Sequence, residues 1–327
     1  MGECLLVRRG GKATLKGISV KTPPAKLEYL AGDTFDATGL VLTALIGGVE
    51  VDVTTGYTIT PTTLTADTTA VTITYALDGK TASTTQTVTV KAYEPVFANN
   101  TWEKIIEAAE NGIASQLWAI GDEKPINIDG GYTDSLVIMG FDHYDLSTSD
   151  AKYNDSNYNG GKKKAALLLG LKNVLETRYR YDSGEQRWGS SLIRTNLPTA
   201  VTAMLPSSLA DSLRTVLVKT SYSESNINTT NDTVIVPSVY ELFGTNTTYR
   251  SKYADQEGTQ YAYYAAGNTK IKKMPSTQAA TNYYTRSDVY ESGGWTHGKV
   301  ALVSASGLQN GSDAKKYTCG ATFVINI

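Results

Sequence analysis

The feature that most constrains this chain is a period-two alternation of apolar and polar residues that recurs through positions 17–91. Val49, Val51 and Val53 alternate with Glu50 and Asp52, and Val71, Ile73 and Tyr75 alternate with Thr72 and Thr74. Val88 and Val90 follow Gln86-Thr87 in the same manner. Alternation of this kind gives a half-buried strand one apolar face, and a helix cannot use it. Gly47-Gly48, Pro61 and Asp78-Gly79 punctuate the runs. The last pair sits between two strand patterns and is a hairpin signal. Several short strands in so short a stretch, with no helical period among them, predict an all-β sandwich over 15–92.

A chain of 327 residues exceeds what one core of this type needs, so a second domain is expected after the sandwich. Residues 93–99 read as a linker and 100–327 as an α+β domain. Asn100, with Glu103 three residues on, predicts a capped helix start. Trp102, Ile105, Ile106, Ala109 and Ile113 then fall at helical spacing, and Asn111-Gly112 supplies a stop. Strands are expected at Trp118–Asp122, Ser135–Phe141, Val216–Val218 and Thr233–Val236, and a closing strand within Tyr317–Ile327. A further helical region is expected from Leu197 to Leu213, interrupted by Pro206.

Charge and cysteine usage remove several function classes. The net charge is −2, and charged residues make up 19% of the chain. No basic face for nucleic acid is present in that composition, nor a polybasic membrane patch. No stretch approaches the run of about 20 apolar residues that a spanning helix needs, so no membrane insertion is expected. Cys4 and Cys319 are too few for a disulfide framework or a four-ligand zinc site. Met1–Gly11 holds only Leu5-Leu6-Val7 as an apolar run, followed by Arg8-Arg9, which does not match a signal peptide. Residues 1–14 lie outside both domain patterns. Leu5, Leu6, Val7, Arg8 and Arg9 are read as a docking segment.

Residue order in both parts carries a resemblance. Ile18-x-Val20, Pro23, Tyr29-x-x-Gly32-Asp33-x-Phe35-Asp36-x-x-Gly39-Leu40 and the closing Val88-Thr89-Val90 resemble the bacterial immunoglobulin-like repeats (group 3 type) of surface and phage proteins. That resemblance covers roughly 15–92 and implies a spacer or decoration module. The second part carries Trp102-x-x-Ile105, Trp118-x-x-Gly121-Asp122, Ile138-x-Gly140-Phe141 and Trp188 with Ser190-Ser191-x-Ile193-Arg194. Leu205-Pro206-x-x-Leu209, Val236-Pro237-Ser238, Glu241-Leu242-Phe243-Gly244 and Glu257-Gly258-x-Gln260-Tyr261-x-Tyr263-Tyr264 follow. Tyr283-Tyr284-x-Arg286-Ser287 and Phe323-x-Ile325 complete the set. The order resembles an uncharacterised domain of Gram-positive surface proteins and phage tail-region proteins. That domain is itself similar to the C-type-lectin-like fold of formylglycine-generating enzymes. Where relatives carry a Trp pair before the Arg-Ser step, this chain has Tyr283-Tyr284.

The fold expected is therefore multidomain, an all-β immunoglobulin-like sandwich followed by an α+β C-type-lectin-like domain. An adhesin-type module on a chain without a secretion signal implies a particle assembled in the bacterial cytoplasm and exposed outside it, a bacteriophage virion. The expected role is a tail-fibre or baseplate-associated protein binding a host-surface glycan or protein. A capsid decoration or head-fibre protein and a bacterial adhesin fragment are the alternatives. Other virion proteins and further copies of the chain, with a trimer favoured, are the expected assembly partners.

No enzyme, cofactor or metal is expected. His143 and His297 stand far apart, and a Cys319–His297 pair has nothing beside it in sequence to orient it. One cysteine in the second domain does not furnish the thiol pair of formylglycine-generating chemistry. Asp142, Asp145, Asp150 and Asp155 do not match the ligand spacing of a calcium loop, and Lys162-Lys163-Lys164 reads as a solvated turn. The aromatic residues are more informative. Tyr and Trp among small polar neighbours give contact area with few rotors lost. Tyr261–Tyr264 and Tyr283-Tyr284 read as core. Asp288–His297 reads as an exposed loop, which makes Trp295, Tyr290, His297 and, upstream, Tyr253 the candidate ligand-binding residues.

Overall fold

The computed structural model describes residues 14–183, 187–221, 227–245, 254–291, 294–314 and 318–327. The chain divides into two compact units, Met1–Tyr93 and Glu94–Ile327, and strand outweighs helix overall. No described helix is long and apolar enough to cross a membrane.

The first unit is built from antiparallel sheets. Val41–Ile46 lies between Leu15–Thr22 and Val49–Val53, and Ala70–Leu77 lies between Tyr57–Thr60 and Lys80–Thr87. Glu28–Leu30 pairs in parallel with Thr89–Lys91. Two tight turns set the register. Gly47 and Gly48 have φ of 59° and 87°, and Asp78 and Gly79 have φ of 49° and 75°. Positive φ at both central residues gives the turn whose twist matches the strands it joins. Leu15, Leu42, Ala44, Val53 and Ile73 form one core cluster, and Tyr29, Phe35, Leu64, Val71 and Val88 form another. Burial of each large member contributes about 2 kcal/mol. Tyr29 stacks on Phe35 at 5.7 Å and donates its hydroxyl to the Lys26 carbonyl at 2.9 Å. The expected alternation fails in one strand: Val53 is buried, but Val49 and Val51 are 48% and 38% exposed. Val49–Val53 ends its sheet, and among the described residues of the first unit none fully covers those two valines.

The second unit is organised on a five-stranded antiparallel sheet in the order Val234–Ile235, Val324–Asn326, Leu167–Leu171, Thr133–Phe141, Glu123–Asn127. Leu167–Leu171 is buried at all five positions, so it reads as a continuous apolar run and not as an alternation. The closing strand takes an interior place in this sheet, between Val234–Ile235 and Leu167–Leu171. A second antiparallel sheet joins Tyr283–Glu291, Gly294–Val303 and Gln309–Ala314, and Val216–Ser221 pairs with Ile227–Asp232.

Several expectations are corrected. Within 93–99, read as a linker, Phe97 is buried against Trp118 at 5.2 Å, and the Asn100 carboxamide bonds Glu94 N and O at 2.8 and 2.9 Å. Asn100 is thereby committed to its own loop. Thr101 is the residue that caps helix Trp102–Glu110, accepting from Lys104 N. Trp118–Asp122 is a turn and not a strand: Gly121 has φ of 95°, and the Asp122 carboxylate accepts from Ala119 N at 2.9 Å. The later helix starts at Leu192, five residues earlier than the apolar spacing indicated, because Ser191 caps it by accepting from Arg194 N. That helix carries Pro198 inside and ends at Met204, and Pro206 precedes a separate short helix, Ser207–Asp211.

Candidate functional site

Ionisable groups in the second unit gather in a buried cluster and around two clefts. The strand Tyr283–Glu291 carries Arg286 into the interior, where it is fully buried beside an equally buried Glu241. The Arg286 Nη2 donates to Glu241 Oε1 at 2.7 Å and to the Glu257 carbonyl at 2.8 Å, and Nη1 donates to the Val236 carbonyl at 3.1 Å. Glu241 also accepts from Tyr144 Oη at 2.6 Å and Tyr261 Oη at 2.9 Å. It closes a reciprocal cap with Ser238 at the start of helix Val239–Phe243. Glu257 accepts from Ser221 N and Oγ at 2.9 and 2.7 Å, and from Ser287 Oγ.

Burial pushes the Glu241 carboxyl upward, but the Arg286 guanidinium beside it holds it below its ordinary value. Burial raises Glu257. Tyr144 and Tyr261 are driven well up, by burial first and by the Glu241 charge second. His143 stacks edge-on to both tyrosines at 4.7 and 4.8 Å, and burial lowers its imidazole. Glu241, Arg286 and Glu257 are each hydrogen-bonded by a neighbour, while His143 makes ring contacts with the two tyrosines. A buried pair so fully hydrogen-bonded orders a core.

The open cleft, about 500 Å³, is lined by the strand Thr133–Phe141, by Lys172 and Asn173 just past Leu167–Leu171, by Tyr263 and Tyr264 of the short helix Ala262–Ala265, and by residues between Thr269 and Gln278. Asp134 is 9% exposed and accepts from Asn173 N and Nδ2 at 3.0 and 3.1 Å, while Asn173 Oδ1 accepts from Lys273 N at 3.1 Å. Carboxylate and carboxamide are therefore held before any ligand arrives. Tyr263 is half-buried, with its ring edge-on to the buried ring of Tyr264 at 5.1 Å. Lys172 is paired with Glu123 at 2.8 Å. Gln278 lines the same cleft with φ of 55°, a conformation uncommon outside glycine, asparagine and aspartate. Lys272, next to Lys273 in the chain, is buried and donates Nζ to the carbonyls of Leu171 and Lys172 at 2.5 and 2.9 Å. Burial pushes that amine down to about 7. A second cleft of about 540 Å³, lined by His143, Lys164, Lys219 and Glu257 among others, borders Ile227 and Asp255; both adjoin segments outside the described residues.

The candidate residues from sequence lie elsewhere. Tyr290, Trp295 and His297 belong to a hairpin: Tyr290 is the register partner of Trp295, and strand continues to Glu291 and resumes at Gly294. The stretch expected as a loop is thus strand on both sides of 292–293. Tyr253 and Leu5, Leu6, Val7, Arg8 and Arg9 lie outside the described residues. The aspartates of 142–155 do not converge. Asp142 pairs with Lys162 at 2.5 Å and Asp145 with Lys164 at 2.7 Å, while Asp150 accepts from Thr215 N at 2.6 Å. No group of three or more potential metal-ligating side chains occurs among the described residues. Cys319 is buried and donates Sγ to the Asn282 carbonyl at 3.1 Å.

Tyr263 belongs to the aromatic run that the sequence singled out. Asp134 and Asn173 gave no signal, because residues so distant in the chain meet only through the pairing of Thr133–Phe141 with Leu167–Leu171, and Gln278 joins them only as a cleft-lining residue. Compared with known proteins, the chain matches no family model and no curated protein.

Proposed function

We propose that this chain is a non-enzymatic structural protein of a bacteriophage virion, carried at the tail fibre or baseplate, whose second unit binds the host cell surface. In this reading the first unit is an immunoglobulin-like spacer. The second is an α+β domain of C-type-lectin-like type, and residues 1–14 dock the chain, as a homo-oligomer, to other virion proteins.

The observation that carries the reading is the contrast between the two polar regions of the second unit. The Arg286–Glu241 pair and its tyrosine and serine partners are hydrogen-bonded to one another inside. The open cleft presents an aromatic ring, a carboxamide and a carboxylate held in place by their neighbours. Such a lining suits recognition, where fixed donors, acceptors and a rigid aromatic supply orientation without charge steering. Soluble full-length chain, added before particles, should compete for the host surface and reduce particle adsorption in proportion to its concentration. Adsorption unaffected by saturating chain would remove the recognition role.

A capsid decoration or head-fibre role is the second reading, favoured by the uncovered valines of the edge strand Val49–Val53, which suit packing against another protein. Immunogold labelling separates the two readings: label at the tail tip supports the first, and label over the head supports the second.

A further inference from the structure

We propose that the cleft between Tyr263 and Asp134 takes an uncharged sugar residue of a surface polysaccharide, with a ring face laid on Tyr263; this deepens the recognition reading above and rests on it. Three observations carry the ligand class.

The first is the aromatic. The ring of Tyr263 is half-buried and held edge-on by the buried Tyr264 at 5.1 Å. It therefore offers a fixed flat face at small entropic loss, as the C–H face of a pyranose requires.

The second is the polar set. The Asp134 carboxylate accepts two hydrogen bonds from Asn173, at 3.0 and 3.1 Å. A carboxylate has about four acceptor sites, so lone pairs remain for the adjacent hydroxyls of a sugar. The Gln278 carboxamide is anchored through Nε2 to the Pro275 carbonyl at 2.9 Å. Its oxygen then stands as an acceptor on a backbone fixed at a φ of 55°. Preset planar acceptors lining one cleft with an aromatic match a ligand whose recognisable groups are hydroxyls.

The third is charge. Lys172 is answered by Glu123 at 2.8 Å, which leaves Lys273 and Asp134 as one charge of each sign at the cleft. An anionic polymer gains little from such a balance, and an uncharged one loses nothing. The volume of about 500 Å³ lies within the range of small-ligand sites. It is also concave, whereas a protein partner buries a broad surface.

The test is calorimetric titration of the full chain with oligosaccharides of glucose, galactose and N-acetylglucosamine, and with anionic oligogalacturonate, at low and high salt. Binding to isolated cell envelopes, untreated, periodate-treated or protease-treated, is measured alongside. At least one neutral oligosaccharide should bind with an affinity that changes less than about twofold with salt. Tyr263→Ala and, independently, Gln278→Ala should each weaken it, the first by about tenfold or more, at an unchanged melting temperature. Periodate and not protease should abolish envelope binding. Envelope binding with no neutral oligosaccharide bound, or binding lost to protease alone, overturns the sugar inference and leaves host recognition standing. Preference for oligogalacturonate with a steep salt dependence overturns the charge argument and the inference with it. Absence of envelope binding by the folded wild-type chain removes the recognition reading as well.

Discussion

Two buried basic residues show how differently this protein handles a charge taken out of water. Arg286 keeps its charge because Glu241 is beside it and backbone carbonyls take its remaining donors. Removing one partner of such a pair costs about 3–5 kcal/mol, since the other is left buried and uncompensated. Among the described residues no carboxylate lies at bonding distance of Lys272; burial lowers its pKa to about 7, with Asp134 opposing only as a more distant charge. An unfolded lysine titrates near 10.4. Between about pH 7 and 10 the unfolded chain therefore holds a proton that the folded chain has released, and stability rises with pH across that window. Below about 7 both states are protonated and the penalty is present in full. Above about 10 the effect reverses, because Tyr144, Tyr261 and Tyr283 keep protons in the fold that the unfolded chain loses. Urea unfolding at pH 7 and 9.5 should show a gain on the order of 3 kcal/mol. Lys272→Met should flatten that slope. An equal slope in the variant would assign the pH dependence to other groups.

Elements were legible where a local rule governs them. Gly47-Gly48 and Asp78-Gly79 announce their hairpins because few other residues accept positive φ at both turn positions. The Tyr29 and Phe35 positions hold a core pair, and Val71, Ile73 and Val88 point inward as their alternation requires. Local signals misled where a side chain had two possible partners. Asn100 and Thr101 can each cap a helix, and only the loop at Glu94–Phe97 decides that Asn100 is engaged elsewhere. Trp118–Asp122 has strand-forming residues, yet Gly121 and the Asp122 carboxylate turn it. The cleft was nearly illegible: of its fixed polar groups, Asp134 and Asn173 meet only because Thr133–Phe141 and Leu167–Leu171 pair. At Val49–Val53 the alternation identified the strand but not its apolar face, which stays open. Val49→Thr with Val51→Thr should therefore change the urea unfolding free energy of the chain by less than about 1 kcal/mol, as exposed substitutions do. Val53→Thr, in the core, should cost more than that. A large loss from the exposed pair would mean that those valines are covered in solution.

At the scale of the whole molecule, two β-rich units of near-neutral composition carry distinct kinds of surface. The first ends one sheet in a strand with uncovered valines. The second seals its strongest charges inside and leaves open a cleft with balanced charge. On the proposed function, partner recognition belongs to the cleft. The most direct measurement is the dissociation constant of full-length wild type and Tyr263→Ala for isolated host envelopes, with melting temperatures taken on the same samples. A weakening of about tenfold or more, equal to about 1.4 kcal/mol, at matching melting temperatures is the predicted result. Equal affinities for the two proteins would contradict the account and move recognition away from the cleft.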